Sequence, residues 1–187
     1  LFEAEDDLVV RLVVDGSGSM AAHGKLRQAA RLAAALGFVS LVRRDAVHLI
    51  TFPGGRSRRF SGRGALPGLL AELGALEAAG PTALDEAVGD VLARRGPPGL
   101  TVVLSDLLTP AWPAALDRLP ARGGDVAVVH VLATEELFPE LSGDLDLVDA
   151  ETAERRAVSL STDVLRDFRA TTDAWLADVE GRCTERG

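Results

Sequence analysis

Oxygen-bearing side chains follow a short apolar run near the start of the chain. Asp15, Ser17 and Ser19 are separated by two glycines and come directly after the β-branched run Leu8–Val14. Such a run, closed by Asp-Gly, predicts a buried strand that enters a turn. Carboxylate and hydroxyl oxygens are the ligands that Mg²⁺ prefers, at about 2.0–2.1 Å in octahedral geometry. The spacing therefore predicts a loop that wraps a divalent cation.

Further oxygen ligands are needed, because one carboxylate and two hydroxyls cannot fill six coordination positions. Thr82 stands at the start of a helical pattern, and Asp106 follows a second buried run, Leu100–Ser105. If the two apolar runs form parallel neighbouring strands, their carboxyl ends meet at one edge of the sheet, where ligands collect in open α/β folds. The candidate metal ligands are Asp15, Ser17, Ser19, Thr82 and Asp106.

Strands and helices alternate along the chain, which predicts a mostly parallel sheet with right-handed crossovers. The predicted strands are Leu8–Val14, Val47–Phe52, Thr101–Ser105 and Asp125–Leu132, with Ser57–Phe60 as an antiparallel edge. The predicted helices are Lys25–Val42, Leu66–Leu76, Thr82–Arg94 and Trp112–Leu119. The fold class is therefore α/β, with a central sheet flanked by helices.

The C-terminal third departs from this alternation. Leu145–Val148 and Arg155–Leu160 flank a polar turn and predict a hairpin. Ser161 is then predicted to cap a last helix. The apolar face of that helix carries Leu165, Phe168, Thr172, Trp175 and Val179, and we expect its two aromatic rings to pack in the core. Thr82 is likewise predicted to cap its own helix, with Asp85 in a partial capping box.

Composition is typical of a single globular domain. The chain has 187 residues, of which 47% are hydrophobic, and we expect residues 1–187 to form one domain within a longer chain. Cys183 is the only cysteine, which excludes an internal disulfide and favours a reducing, cytoplasmic compartment. The start, Glu3–Asp7, is acidic and unlike a signal peptide. A net charge of −8 argues against broad nucleic-acid binding.

Two alternatives to metal binding remain open. Gly16 and Gly18 belong to a Gly-x-Gly-x-x-Ala pattern that is typical of nucleotide-binding enzyme domains. That fingerprint calls for an acidic residue at the end of the second strand, and the strand ends instead at Phe52. The other alternative is a structural module whose loop has no binding role. Hydrolase chemistry is disfavoured, because no serine lies in Gly-x-Ser-x-Gly and His48 and His130 are expected to pack within strands.

The candidate ligand pattern resembles a known motif. Asp15-x-Ser17-x-Ser19 with a later Thr82 and Asp106 resembles the metal-ion-dependent adhesion site of von Willebrand factor A domains. The flanking segments resemble the bacterial domain-of-unknown-function 58 family, which contains a von Willebrand A-like domain. The segments that carry this likeness are Phe2–Met20, Gly80-Pro81-Thr82, Val103–Asp106 and the tail Glu136–Cys183, whose pattern stands at Glu136–Pro139 and Gly143–Thr152.

The resemblance implies both a fold and a role. The fold would be a Rossmann-like, three-layer sheet flanked by helices. The hydroxyls of Ser17, Ser19 and Thr82 would bind Mg²⁺, with Mn²⁺ or Ca²⁺ as alternatives, and Asp15 and Asp106 would bind it directly or through water. Family members are often encoded beside MoxR-type AAA+ ATPases, which implies a non-enzymatic adaptor or assembly factor, in some members tethered to a membrane. Our hypothesis is that a partner's Asp or Glu becomes the last metal ligand.

Overall fold

The computed structural model describes residues 8–94 and 96–185, so the acidic start Glu3–Asp7 lies outside the described residues. Its strands are β1 (Val9–Asp15), β2 (Ala46–Phe52), β3 (Arg56–Phe60), β4 (Gly99–Ser105), β5 (Val126–His130), β6 (Gly143–Val148) and β7 (Arg155–Leu160). Its helices are α1 (Lys25–Val42), α2 (Leu66–Gly74), α3 (Leu84–Ala93), α4 (Trp112–Arg118), α5 (Thr134–Leu137) and α6 (Thr162–Thr184). Short 3₁₀ turns occupy Gly18–Gly24, Arg63–Ala65 and Leu119–Arg122.

The central sheet has the strand order β3-β2-β1-β4-β5 within the described ranges. Every neighbouring pair is parallel except β2 and β3, which are antiparallel as predicted. Asp15 lies opposite Phe52 of β2, and Val14 lies opposite Leu104 of β4. The carboxyl ends of β1 and β4 are therefore adjacent, which confirms the predicted parallel α/β arrangement. The strands β6 and β7 pair separately as the predicted hairpin.

Helices cover both faces of the sheet and give it three layers. On one face, Val10, Leu12 and Val14 of β1 pack against α1 and α2. On the other face, Val13 and its neighbours pack against α3, α4 and the end of α6. Because strand side chains alternate between faces, Asp15 projects on the same side as Val13. The full burial of β1 follows from this double cover.

The predicted helix ends and caps are confirmed for some helices and wrong for one. The bounds of α1, Lys25–Val42, are confirmed, and Ser161 caps α6 by accepting a hydrogen bond from the Val164 amide, with N and Oγ 3.3 Å apart. The predicted capping of α3 by Thr82 is wrong. That helix begins at Leu84, and no side chain caps it. The Thr82 hydroxyl is instead a donor to another part of the chain.

The last helix is also less buried than its apolar pattern indicated. Phe168 is 41% exposed, so its predicted place in the core is wrong. Trp175 and Val179 do pack in the apolar cluster on the Val13 face of the sheet. The residues of α6 that pack in this cluster, Trp175, Val179 and Cys183, all lie in the C-terminal half of the helix.

Candidate metal-binding site

Asp15 is the last residue of β1, and its side chain is fully buried. Its Oδ1 accepts the Ser17 amide at 2.9 Å, and its Oδ2 accepts the Ser105 hydroxyl at 2.5 Å. Burial raises the pKa of Asp15 to about 6, and the nearby Asp106 carboxylate adds to that rise. The hydrogen bonds from Ser105 and Ser17 oppose the shift without cancelling it. The hydrogen bonds therefore offset only part of the cost of burying the ionised Asp15 carboxylate, and a bound cation would offset the rest.

The loop that follows β1 holds its hydroxyls on one side. The Oγ atoms of Ser17 and Ser19 lie 3.1 Å apart, and Ser17 is fully buried. The Gly16 amide donates to the Phe52 carbonyl at 2.7 Å, and the Gly18 amide donates to the Gly80 carbonyl at 2.8 Å. These backbone bonds clamp the loop between the end of β2 and the segment before Thr82.

The same backbone bonds bear on the nucleotide alternative. In dinucleotide-binding loops, glycine amides at the start of a helix face the pyrophosphate. Here the amides of Gly16 and Gly18 already donate to carbonyls of the chain itself, and α1 begins only at Lys25. The geometry gives this alternative no support.

Thr82 lies beside the loop, and its hydrogen-bonding groups are directed at the β6–β7 hairpin. Its amide donates to Glu151 Oε2 at 2.9 Å, and its hydroxyl donates to Glu151 Oε1 at 2.5 Å. The backbone before it is joined to the first loop, because Gly18 bonds to Gly80 and the Ala79 amide donates to the Gly16 carbonyl at 2.9 Å. Thr82 is therefore close to the serines in space although it is distant in sequence.

Asp106 is buried directly after β4 and forms an ion pair. Its Oδ2 accepts the Lys25 ammonium at 2.8 Å, and its Oδ1 accepts the Leu108 amide at 3.1 Å. Lys25 is 2% exposed and also contacts the Glu136 carboxylate. Asp106 thus shares a lysine with Glu136, whereas the contacts of Asp15 are neutral donors.

Sequence reasoning missed Lys25, Glu136 and Glu151. Lys25 is the only lysine of the chain and stands at the start of a predicted helix, where no local pattern marks it as a partner of Asp106. Glu136 and Glu151 both fall within the segments that carry the family resemblance, which was the one available signal. Their partners lie 111 and 69 residues away, so no local pattern indicates these contacts.

The structure places all five predicted ligands at the carboxyl edge of the sheet. Three of them are joined in sequence: Asp15 accepts the Ser17 amide, and the hydroxyls of Ser17 and Ser19 are hydrogen-bonded to each other. The side chains of Thr82 and Asp106 bind Glu151 and Lys25. Within residues 8–94 and 96–185, no group of three or more His, Cys, Asp or Glu side chains is arranged to hold a metal. The donors are oxygens dominated by hydroxyls, a set that suits Mg²⁺ rather than zinc.

The two strand histidines are half-buried. His48 Nε2 is hydrogen-bonded to Ser57 Oγ at 2.7 Å, and burial together with nearby arginines lowers the pKa of His48 to about 4. His130 Nε2 lies 3.0 Å from the Asp106 carbonyl, and its ring meets Trp175 edge-on at 4.9 Å. Burial lowers the pKa of His130 as well. Both rings therefore pack neutral against the sheet, as expected.

The layers, strand order and edge loops define a Rossmann-like, three-layer α/β protein. A crystal structure of an aerotolerance-related membrane protein from Bacteroides fragilis NCTC 9343, carrying multiple mutations to serine, has the same fold with a TM-score of 0.54. It is 18% identical, and the alignment covers 87% of each chain. Comparison with functionally curated proteins gives no match.

Residues 1–175 match the family described as "Protein of unknown function DUF58", and the chain belongs to that family. This membership confirms the family resemblance carried by the N-terminal and hairpin segments. In the part of the chain that the structure describes, no helix is both long and apolar enough to cross a membrane.

Proposed function

We propose that this chain is a metal-ion-dependent protein-interaction domain. Mg²⁺ would be held by Asp15, Ser17, Ser19, Thr82 and Asp106, and its open position would accept a carboxylate from a partner. The observation that carries the proposal is a fully buried aspartate where parallel strands end, bonded to the Ser17 amide and the Ser105 hydroxyl, with the paired hydroxyls of Ser17 and Ser19 in the next turn. This is the edge at which ligands bind in open α/β sheets.

The electrostatics of Asp15 support a cation at this position. An ionised carboxylate that is removed from water is costly unless a charge or several donors compensate it. The contacts of Asp15 are neutral donors from Ser17 and Ser105, and burial still raises its pKa to about 6. A dication bound to Asp15 would offset this cost and lower that pKa again.

The hydroxyl ligands explain why the metal would recognise an acidic partner. Neutral Ser and Thr oxygens leave more of the positive charge on the cation than carboxylates would. Mg²⁺ in protein sites also keeps several water molecules, and an outside ligand can take the position of one of them. A partner's Asp or Glu would therefore be attracted to the site. The domain would bind rather than catalyse, working with a MoxR-type AAA+ ATPase or its client in the cytoplasm, with a tether elsewhere in the full-length protein allowed.

Two experiments test the proposal, one on metal binding and one on partner binding. Calorimetric titration with Mg²⁺ and Mn²⁺ should show one site in the wild type and none in Asp15→Ala. Asp173→Ala, an exposed position on α6, is the matched control and should bind like wild type. A lysate pull-down with immobilised domain should lose its partners in EDTA. Absence of metal binding in wild type, or recovery of the same partners with EDTA, would show the proposal to be wrong.

A further inference from the structure

The turn between β6 and β7 covers the candidate site. We call residues 149–152 the hairpin tip. Asp149 Oδ1 accepts the amides of Glu151 and Thr152 at 2.9 and 2.7 Å, and the Thr152 hydroxyl at 2.9 Å, which fixes the shape of the tip. A Cβ added to Gly18 would lie 2.6 Å from the Ala150 carbonyl oxygen. The backbone of the tip is therefore packed directly on the loop that carries Ser17 and Ser19.

One side chain of the tip reaches a predicted metal ligand. Both carboxylate oxygens of Glu151 accept hydrogen bonds from Thr82, one from its amide and one from its hydroxyl. The hydroxyl oxygen of a threonine has lone pairs left when its proton is donated. Thr82 can therefore hold Glu151 and bind a cation at the same time, which places a carboxylate beside the metal position.

The charges of the edge leave a place for this carboxylate. Asp106 is paired with Lys25 at 2.8 Å, and the same ammonium also contacts Glu136, so it offsets one of these two negative charges. Asp15 and Asp106 are the two carboxylates among the five predicted ligands, and because Asp106 already shares a lysine, a dication at Asp15 would gain from a further carboxylate nearby. Glu151, which is outside that set, is an acidic side chain hydrogen-bonded to one of the five, Thr82.

We propose that Glu151 is a carboxylate ligand supplied by the chain itself, in the position that a partner's acidic residue takes when it binds. The inference rests on the proposed function, since it needs a metal at the site. Partner binding then requires the hairpin tip to be displaced. The partner would carry an Asp or Glu on a tight turn with a small preceding residue, as Ala150 precedes Glu151, because the backbone before the acid passes close to Gly18.

A simpler role for Glu151 makes a different prediction. Thr82 lies two residues ahead of α3, so the carboxylate also sits near the positive end of that helix. A residue that served only there would affect stability and leave metal affinity unchanged. Metal affinity, rather than stability, therefore separates the two roles.

The experiment measures Mn²⁺ binding by calorimetry and by water proton relaxation, which reports water molecules on the bound ion. Wild type is compared with Glu151→Gln, which keeps the size and one acceptor, and with Glu154→Gln, an exposed acid on the same hairpin. We expect E151Q to bind Mn²⁺ about tenfold more weakly and to gain one bound water, with E154Q unchanged. Acetate should restore the affinity of E151Q and displace that water, while it leaves wild type unaffected.

The opposing outcomes are distinguishable. If wild type and E151Q bind Mn²⁺ equally, with the same hydration and no response to acetate, Glu151 is not a ligand and the inference is wrong while the metal site stands. If E151Q is weaker and acetate has no effect, the loss is indirect and the inference is again wrong. If wild type binds no Mn²⁺, the proposed function fails and the inference fails with it.

Discussion

The Lys25 ammonium lies 2.8 Å from Asp106 Oδ2, and both side chains are almost completely buried. The pair joins the first residue of α1 to the residue after β4, across 81 positions of sequence. Lys25 also contacts Glu136, so the end of α5 is attached to the same point. A buried charge of this kind is tolerated only with its partner in place, because each ion has lost its water.

Removal of one member of this pair should therefore be strongly destabilising. We expect Lys25→Met to lower the free energy of unfolding by roughly 3–5 kcal/mol, because Asp106 would remain buried and uncompensated. Urea denaturation followed by circular dichroism measures the change. The double variant with Asp106→Asn should recover part of the loss. Additive effects of the two changes would contradict a direct pairing.

Asp15 should destabilise the metal-free protein at neutral pH. Its pKa is raised from 3.8 to about 6 by burial, so its stabilising form is the protonated one, present below pH 3.8 and lost as the pH rises through about 6. Asp15→Asn imitates the neutral form and should raise stability in EDTA at pH 7.5 by on the order of 3 kcal/mol. Thermal melts at pH 4 and pH 7.5 test the sign. If the variant and wild type differ in melting temperature by the same amount at both pH values, the raised pKa of Asp15 is contradicted.

Gly18 should tolerate no side chain while the hairpin tip is docked. A Cβ there would approach the Ala150 carbonyl oxygen to 2.6 Å, and a backbone atom cannot move aside without shifting the tip. We expect Gly18→Ala to cost about 1–3 kcal/mol and to expose the tip to proteases. Gly16→Ala is the matched control in the same loop, since its Cβ would meet the Phe52 carbonyl at an ordinary 3.4 Å. Similar losses in both variants would count against close packing of the tip on Gly18.

His48 should make stability depend on pH in the acid range. Its pKa is lowered from 6.5 to about 4 by burial and by the charges of Arg94, Arg11 and Arg59. The unfolded chain therefore takes up a proton between these values while the folded chain does not, so stability falls as the pH drops from about 6.5 to about 4. His48→Gln keeps a hydrogen-bond partner for Ser57 and should flatten this part of the profile. Thermal melts at pH 7 and pH 5 compare the two proteins, and parallel losses would refute the assignment.

Local patterns were sufficient for most of the elements. The apolar run before Asp15, the helix Lys25–Val42 and the C-terminal hairpin lie where their periodicity placed them, because each depends on neighbours a few residues away. The carboxyl ends of β2, β3 and β4 lie where they were predicted, whereas β1 extends to Asp15 and β5 ends at His130, two residues before the predicted Leu132. Two errors arose where local pattern did not decide the outcome. Thr82 is a residue type that caps helices, but its hydroxyl donates to the distant Glu151. Phe168 fits the spacing of core residues on a helix, but the tertiary packing leaves it exposed.

The sequence by itself determined which oxygen-bearing residues stand at the ends of strands and that those ends share one edge of the sheet. Only the tertiary structure decided how the charges there are distributed: Lys25 beside Asp106, and Glu151 beside Thr82. The physical reason is the range of the interactions. Periodicity is a property of neighbouring residues, whereas an ion pair or a carboxylate contact depends on which segments the fold brings within about 3 Å of each other.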